Sequence, residues 1–147
     1  MPELTTNQKG AIAETAIAHA AVKAGIGVLQ PLADERYDLV FDFGSRFVRV
    51  QCKWAVRLGD VVAVRCRTCR RARHGLVHRG YTADEIDAIA AYCADIDRCF
   101  YLSLGACRGQ AYVHLRLAPT RNHQRLGVNW ADDFDFERLH WESLVGP

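Results

Sequence analysis

The stretch RYDLVFDFGSRFVRVQCKW, residues 36–54, carries the pattern from which the fold of this chain of 147 residues is predicted. Two runs of alternating apolar residues flank a Gly-Ser pair at positions 44–45. A glycine at the first central position suits a two-residue hairpin turn of type II′. With that turn, Leu39 faces Val50 across the hairpin, and the residues on their side form a face fit for burial.

The other face of this hairpin is polar. Asp38 is expected opposite Gln51, with Cβ atoms about 5 Å apart, and Lys53 follows two residues later on the same side. A carboxylate, an amide oxygen and an amine therefore converge on one small patch, as in a functional site. A polar cluster on the sheet surface is the simpler explanation for any one of them, but less so for all three together.

The remaining segments predict α/β architecture on a central mixed sheet. A capping box at Thr5 and Gln8, with Gly25 as a stop signal, predicts a helix over residues 7–24. We further expect strands over 26–30, 60–67, 99–104 and 111–117, a loop over 68–80, a capped second helix over 82–94, and one or two helical turns over 134–140.

The composition is that of one folded domain spanning residues 1–147, because 50% of the residues are hydrophobic and the charged fraction is ordinary. No apolar run approaches the ~20 residues of a membrane span. The N-terminal residues lack the apolar core of a signal peptide. We therefore expect a cytoplasmic protein without membrane association, whose cysteines are mostly thiols.

Positive charge is concentrated in one part of the chain. Arginines number 16 against 3 lysines, and residues 61–83 contain no acidic side chain. Arginine forks bind phosphate oxygens in pairs, so this run fits a polyanion, with a solvated face as the alternative. The candidate contacts in this run are Arg65, Arg67, Arg70, Arg71, Arg73 and His74.

Glu14 is a further candidate because its helical neighbours are small or apolar rather than charged. A carboxylate in that setting stays protonated, finds a partner or binds a cation, unless it lies at the edge of the helix and reaches water.

Four residues in this order resemble the PD-(D/E)XK nuclease superfamily. They lie in AIAET, RYDLVF and VQCKW, and are Glu14, Asp38, Gln51 and Lys53. Tyr37 replaces the proline of the motif. Gln51 replaces its second acidic residue, which removes one negative charge. Together with NQKGAIAETAIAHAAVKAG, RCRTCRRARHG, GYTADEIDAIAAYC and NHQ…VNWADDF, the pattern is similar to the intron-associated homing-endonuclease branch.

The resemblance implies a restriction-endonuclease-like core and a metal-dependent DNA endonuclease. It implies that Asp38 is the main ligand of Mg²⁺ (with Mn²⁺ as a substitute), joined by the Gln51 side-chain oxygen and the Cys52 backbone carbonyl. Glu14 holds a second cation or a metal-bound water. Lys53 contacts the scissile phosphate and orients or deprotonates the attacking water.

The expected partner is double-stranded DNA, whose backbone the arginine run contacts. Asn122 and Gln124 reach base edges or belong to a solvated loop. Cutting both strands requires two active sites, so we expect a homodimer or homotetramer. Two alternatives to homing-type cleavage remain, a structure-specific nuclease such as a Holliday-junction resolvase and a non-catalytic DNA-binding module.

A structural zinc site is a separate hypothesis. Cys66 and Cys69 have the spacing of half a zinc knuckle, but no second such pair follows. The remaining ligands would come from His74, His78, Cys93 and Cys99.

Overall fold

The computed structural model describes residues 2–107 and 109–145, apart from the side chains of 69–72, 76–78 and 145. The helices in this part of the chain are α1 (Thr6–Lys23), α2 (Leu104–Cys107) and α3 (Trp141–Val145). The strands are β1 (Gly27–Leu29), β2 (Leu39–Asp42), β3 (Phe47–Leu58), β4 (Val61–Arg65), β5 (Arg67–Ala72), β6 (Gly75–Gly80), β7 (Ala88–Cys93), β8 (Arg98–Ser103), β9 (Tyr112–Arg116) and β10 (Asn129–Trp130).

The first helix confirms its sequence signals. The Thr5 side chain accepts the backbone N–H of Gln8, and the Gln8 side chain accepts that of Thr5, so both halves of the capping box are present. Gly25 follows the C-cap with a φ of 83°, a conformation that favours glycine. The helix packs on the sheet through its buried Ile17 and Ala21.

The mixed sheet is organised around β3. This strand is antiparallel to β2 on one side and parallel to β7 on the other, and β7 pairs with β8. The C-terminal end of β3 pairs with β4. On its other side β4 pairs with β9, and β9 pairs with β10. The β5–β6 hairpin forms a separate two-stranded sheet. The predicted α/β class with a central mixed sheet is confirmed.

The hairpin of β2 and β3 has the predicted register. Leu39 pairs with Val50, and both are fully buried. The Phe43 N–H donates to the Arg46 carbonyl at 3.0 Å and closes a two-residue turn. Within that turn only Gly44 has a positive φ, 83°, as a type II′ turn requires.

Apolar side chains cover both faces of the sheet, because β3 and β7 lie between two separate clusters. The cluster under α1 includes Ile17, Leu39, Phe41, Val48, Val50, Ala88, Ala90 and Phe136. The opposite cluster includes Ala55, Val62, Val64, Ile89, Ala91, Phe100, Leu102, Val113 and Leu115. Gln51 and Lys53 alternate with the residues of the first cluster, so they lie on the face away from α1.

The predicted second helix is wrong. Thr82 and Glu85 do form capping-type hydrogen bonds, but only a short turn follows. Residues 88–93 then form β7, which is buried on both faces. Helix propensities differ by at most about 0.7 kcal/mol per ordinary residue, whereas burying one isoleucine contributes about 1.5–3 kcal/mol. Pairing with β3 and β8 therefore outweighs the helical preference of an Ala-rich segment.

Arg49 and Asp87 align the parallel pair of β3 and β7. The Asp87 N–H donates to the Arg49 carbonyl at 2.9 Å, and the Arg49 N–H donates to Asp87 Oδ2 at 2.8 Å. The Arg49 guanidinium adds two bonds of 3.1 Å to the same carboxylate. This clamp sets the start of β7 relative to β3.

Two further expectations need correction. The arginine-rich stretch predicted as a loop over 68–80 forms the β5–β6 hairpin, in which Gly75, the first residue of β6, has a φ of 118°. Near the C-terminus the helices lie at Ala131–Asp133 and Trp141–Val145. Of the helical turns expected over 134–140, one is present, in which the Asp135 carbonyl accepts the N–H groups of Arg138 and Leu139 at 3.0 Å. Segment 134–136 bonds instead to β8, where the Tyr101 N–H donates to the Phe134 carbonyl at 2.8 Å. The other predicted strands are confirmed to within a few residues.

No helix in residues 2–107 and 109–145 has the length and apolarity to cross a membrane.

Candidate active site

Asp38 lies where the chain enters β2, and its carboxylate continues the sheet in place of the backbone. The paired ladder ends at Leu39 and Val50. Beyond it, the Asp38 N–H donates to the Val50 carbonyl at 2.9 Å, and Asp38 Oδ2 accepts the Cys52 N–H at 2.8 Å. The expected direct opposition of Asp38 and Gln51 is therefore not part of the ladder. The second hydrogen bond ties the carboxylate to β3.

Glu14 lies close to Asp38. Glu14 is half-buried on α1, and its Oε1 accepts Gln30 Nε2 at 2.8 Å. Burial raises the pKa of Asp38 and the Glu14 charge adds to this rise, while the Cys52 N–H and the Lys53 charge oppose it. Both carboxylates line a polar pocket of about 210 Å³ between α1 and residues 30–38. Glu14 therefore has a partner and a neighbouring like charge.

Gln51 lies in the middle of β3, half-buried and paired with Ile89 of β7. Alternation along the strand puts its side chain on the same face as that of Lys53. Its amide makes no hydrogen bond to any residue that the structure describes. The amide oxygen is therefore available to a ligand.

Lys53 donates from Nζ to the Tyr81 hydroxyl at 2.7 Å and to the Arg67 carbonyl at 3.4 Å. The same ammonium lies 5.0 Å from the centre of the Tyr81 ring. Burial, and next the Arg65 charge, lower the pKa of Lys53 to about 8, while Asp38 opposes this. The lysine is thus held in a partly desolvated position near a carboxylate.

A divalent cation fits the donor set at Asp38. Hard oxygen ligands are what Mg²⁺ prefers, and Asp38 Oδ2 is engaged by Cys52 while Oδ1 is not. In the described residues no three His, Cys, Asp or Glu side chains form a metal cluster. A cation at Asp38 therefore needs neutral oxygens as well, such as the Gln51 amide or the Cys52 carbonyl. The two neighbouring carboxylates whose charges repel each other favour a cation between them.

The DNA-contact candidates occupy two regions. Arg65 ends β4 and Arg67 begins β5, so both lie at the base of the β5–β6 hairpin, whereas Arg73 and His74 are exposed at its turn. The side chains of Arg70 and Arg71 lie outside the described residues.

Asn122 and Gln124 lie elsewhere, in an exposed segment whose polar groups bond to one another. The side-chain Oδ1 of Asn122 accepts the Gln124 N–H at 3.2 Å, and Gln124 Nε2 donates to the Leu126 carbonyl at 3.1 Å. The structure brings together Glu14, Asp38 and Lys53, whereas the side chains of Asn122 and Gln124 stay within their own loop.

The zinc hypothesis stays untested at two of its ligands, because the side chains of Cys69 and His78 lie outside the described residues. Cys66, Cys93 and Cys99 are buried free thiols.

Comparison with known proteins accounts for this arrangement. Residues 4–137 match the sequence model of the PD-(D/E)XK endonucleases. The chain belongs to the PD-(D/E)XK endonuclease family. Among solved structures it resembles the bacterial homing endonuclease I-Ssp6803I, with a TM-score of 0.68, 29% sequence identity, and coverage of 83% of this chain and 84% of that one. No curated protein matches significantly.

This PD-(D/E)XK endonuclease therefore has the restriction-endonuclease-like fold that the resemblance implied, and it is a nuclease. Three neighbours of the candidate site had no assigned role from the sequence. Gln30 bonds Glu14, Tyr81 bonds Lys53, and Arg36 lies over the Tyr81 ring at 4.8 Å. Of these three, Tyr81 lies in GYTADEIDAIAAYC, a segment that resembles the homing-endonuclease branch. That resemblance gave the tyrosine no role of its own.

Proposed function

We propose that this nuclease is a Mg²⁺-dependent DNA endonuclease that cuts double-stranded DNA at specific sites, in the manner of a homing endonuclease. The observation that carries the proposal is the convergence of Glu14, Asp38 and Lys53 where α1, β2 and β3 meet. The likeness to a homing endonuclease over most of both chains supports the choice among nuclease types.

Each residue of the site has a chemical role in the proposal. Asp38 holds the cation, with the Gln51 amide oxygen and the Cys52 carbonyl as further ligands, and Glu14 binds a second cation or its water. Bound Mg²⁺ supplies charge stabilisation for the phosphate and lowers the pKa of a coordinated water. Lys53 donates to the scissile phosphate and orients the attacking water, because its ammonium lies close to Asp38 in a partly buried position.

DNA binding in this proposal uses the β5–β6 hairpin. Arg65 and Arg67 at its base lie near Lys53, since the Arg65 charge lowers the pKa of Lys53 and Lys53 Nζ contacts the Arg67 carbonyl. Arg73 and His74 at the exposed turn extend the surface for phosphates. Two active sites are required to cut both strands, so the active form is a dimer or a tetramer.

Cleavage assays test the proposal directly. The protein is incubated with a random plasmid library and with a four-way junction, in Mg²⁺, in Mn²⁺ and with chelator. We expect cuts at a small set of library sequences that depend on the metal, and an Asp38→Asn protein that cuts nothing. Light scattering with and without DNA measures the oligomeric state.

The other outcomes separate the alternatives. Cleavage of the junction without sequence preference would replace homing-type activity by junction resolution. DNA binding without cleavage in any metal would make the protein a non-catalytic binding module.

A further inference from the structure

The ammonium of Lys53 is held by both ends of one hairpin. Its two acceptors are the Arg67 carbonyl, in the first residue of β5, and the Tyr81 hydroxyl, directly after the last residue of β6. Arg67 pairs with Gly80 across the hairpin, so the two acceptors lie at its base. Without these two bonds the flexible four-carbon stem of the lysine would leave the position of Nζ less restricted.

Tyr81 has further contacts besides Lys53. The Arg36 guanidinium lies over the ring at 4.8 Å, and Glu85 forms ion pairs with Arg36 and Arg79. Glu85 in turn accepts the Thr82 hydroxyl at 3.1 Å. A ring that contacts two cations and adjoins a hydrogen-bonded turn has little freedom to move. Its hydroxyl therefore presents an acceptor at a defined place.

We propose that Tyr81 is a positioning residue for Lys53, a role that rests on the cleavage reaction proposed above. The hydroxyl accepts the ammonium at 2.7 Å and so restrains Nζ, whose charge acts on Asp38. In this proposal Tyr81 acts through the lysine. Restraint of this kind matters because a displacement of about 1 Å at a reacting group can lower a rate roughly a hundredfold.

The test uses Tyr81→Phe, which keeps the ring under Arg36 and removes only the acceptor. Tyr92→Phe is the matched control, because the Tyr92 hydroxyl also forms a 2.7 Å hydrogen bond, to Asp97, on the α1 side of the sheet. We expect single-turnover cleavage by Tyr81→Phe to fall at least about tenfold, with unchanged DNA affinity and melting temperature. The double variant with Lys53→Met should cleave no more slowly than Lys53→Met alone.

A second measurement does not depend on cleavage. The Nζ–H signal of Lys53 in ¹H–¹⁵N spectra, identified by its absence in Lys53→Met, should be protected from solvent exchange in the wild type and in Tyr92→Phe. It should broaden or vanish in Tyr81→Phe.

The outcomes separate this inference from the proposed function. If the wild-type protein cleaves nothing, the proposed function is overturned, and so is the role of Tyr81 in cleavage. A wild type that cleaves, together with a Tyr81→Phe protein as fast as Tyr92→Phe, overturns the positioning role alone. The positioning role is also overturned if the double variant cleaves more slowly than Lys53→Met alone, by the same factor that Tyr81→Phe loses on its own.

Discussion

Asp38 accepts the backbone N–H of Cys52 at 2.8 Å, and this hydrogen bond joins the proposed metal ligand to the strand that carries Gln51 and Lys53. A backbone carbonyl would fill that position in a regular antiparallel ladder. The carboxylate fills it here, so one oxygen of Asp38 is structural while the other remains for a cation. Changes at Asp38 therefore affect folding and cleavage separately.

Asp38→Asn should abolish cleavage and leave the fold almost intact, since an amide oxygen can still accept the Cys52 N–H. Asp38→Ala removes the acceptor and leaves a partly buried N–H without a partner, which costs about 1–3 kcal/mol. Urea unfolding and single-turnover cleavage of both variants check this. Cleavage at the wild-type rate by Asp38→Asn in Mg²⁺ would remove Asp38 from the mechanism.

Gln51→Glu should bind Mn²⁺ at least as tightly as the wild type, because it restores the negative charge that the family motif has at this position. Gln51→Leu, which has a similar size and no oxygen, should bind Mn²⁺ more weakly. Isothermal titration of the three proteins measures the affinities. Equal affinities in all three would show that Gln51 is not a ligand.

Lys53→Met should reduce cleavage roughly a hundredfold or more, the usual effect of removing a charge-stabilising or acid–base group. The methionine preserves the packing of the stem, so affinity for DNA and Mn²⁺ should fall far less. Single-turnover cleavage and filter binding on one preparation provide the comparison. Equal losses in rate and affinity would make Lys53 a binding residue only.

Replacing Arg70, Arg71 and Arg73 by alanine should weaken binding to any duplex. For every phosphate that these arginines neutralise, the slope of log affinity against log salt should decrease by about 0.9. Replacing Lys23 and Arg138, which lie beside the acidic Glu137 and Asp132, is the control. An unchanged slope in the triple variant would assign the arginine run to a solvated face.

Asp87→Asn should destabilise the protein at neutral pH and much less in acid. The side-chain hydrogen bond from Arg49 lowers the pKa of Asp87 in the folded state below its unfolded value. The stabilisation is therefore present above the unfolded pKa of about 3.9 and is lost as the pH falls through the folded pKa.

Because the pair is partly exposed, we expect a loss of about 1 kcal/mol near pH 7. Urea unfolding at about pH 7 and about pH 3 measures it, with Asp95→Asn as an exposed control. A loss that stays constant with pH would show that the ion pair contributes nothing.

Local chemistry made much of this molecule predictable. The capping box at Thr5 and the glycine at position 44 act over a few residues, so α1 and the register of Leu39 with Val50 followed from the sequence. The placement of Gln51 and Lys53 on one face of β3 also followed, because side chains alternate along a strand. Glu14 and Asp38 were singled out by their match to the family motif.

The error over residues 82–94 has the opposite origin. Helical spacing of Ile86, Ile89 and Ala90 also suits a strand buried on both faces, where every position is apolar and periodicity carries no information. The pairing partners, β3 and β8, lie far away in sequence. Nothing local distinguishes the two structures.

The first helix, the central hairpin and the residue types of the candidate site could be predicted from the sequence, since they depend on contacts between near neighbours along the chain. Three other features could not: residues 88–93 form a strand beside β3, Gln30 bonds Glu14, and the base of the β5–β6 hairpin holds Lys53 through Tyr81. These contacts join segments separated by many residues. Their free energy comes from burial and hydrogen bonds that exist only once the sheet has assembled.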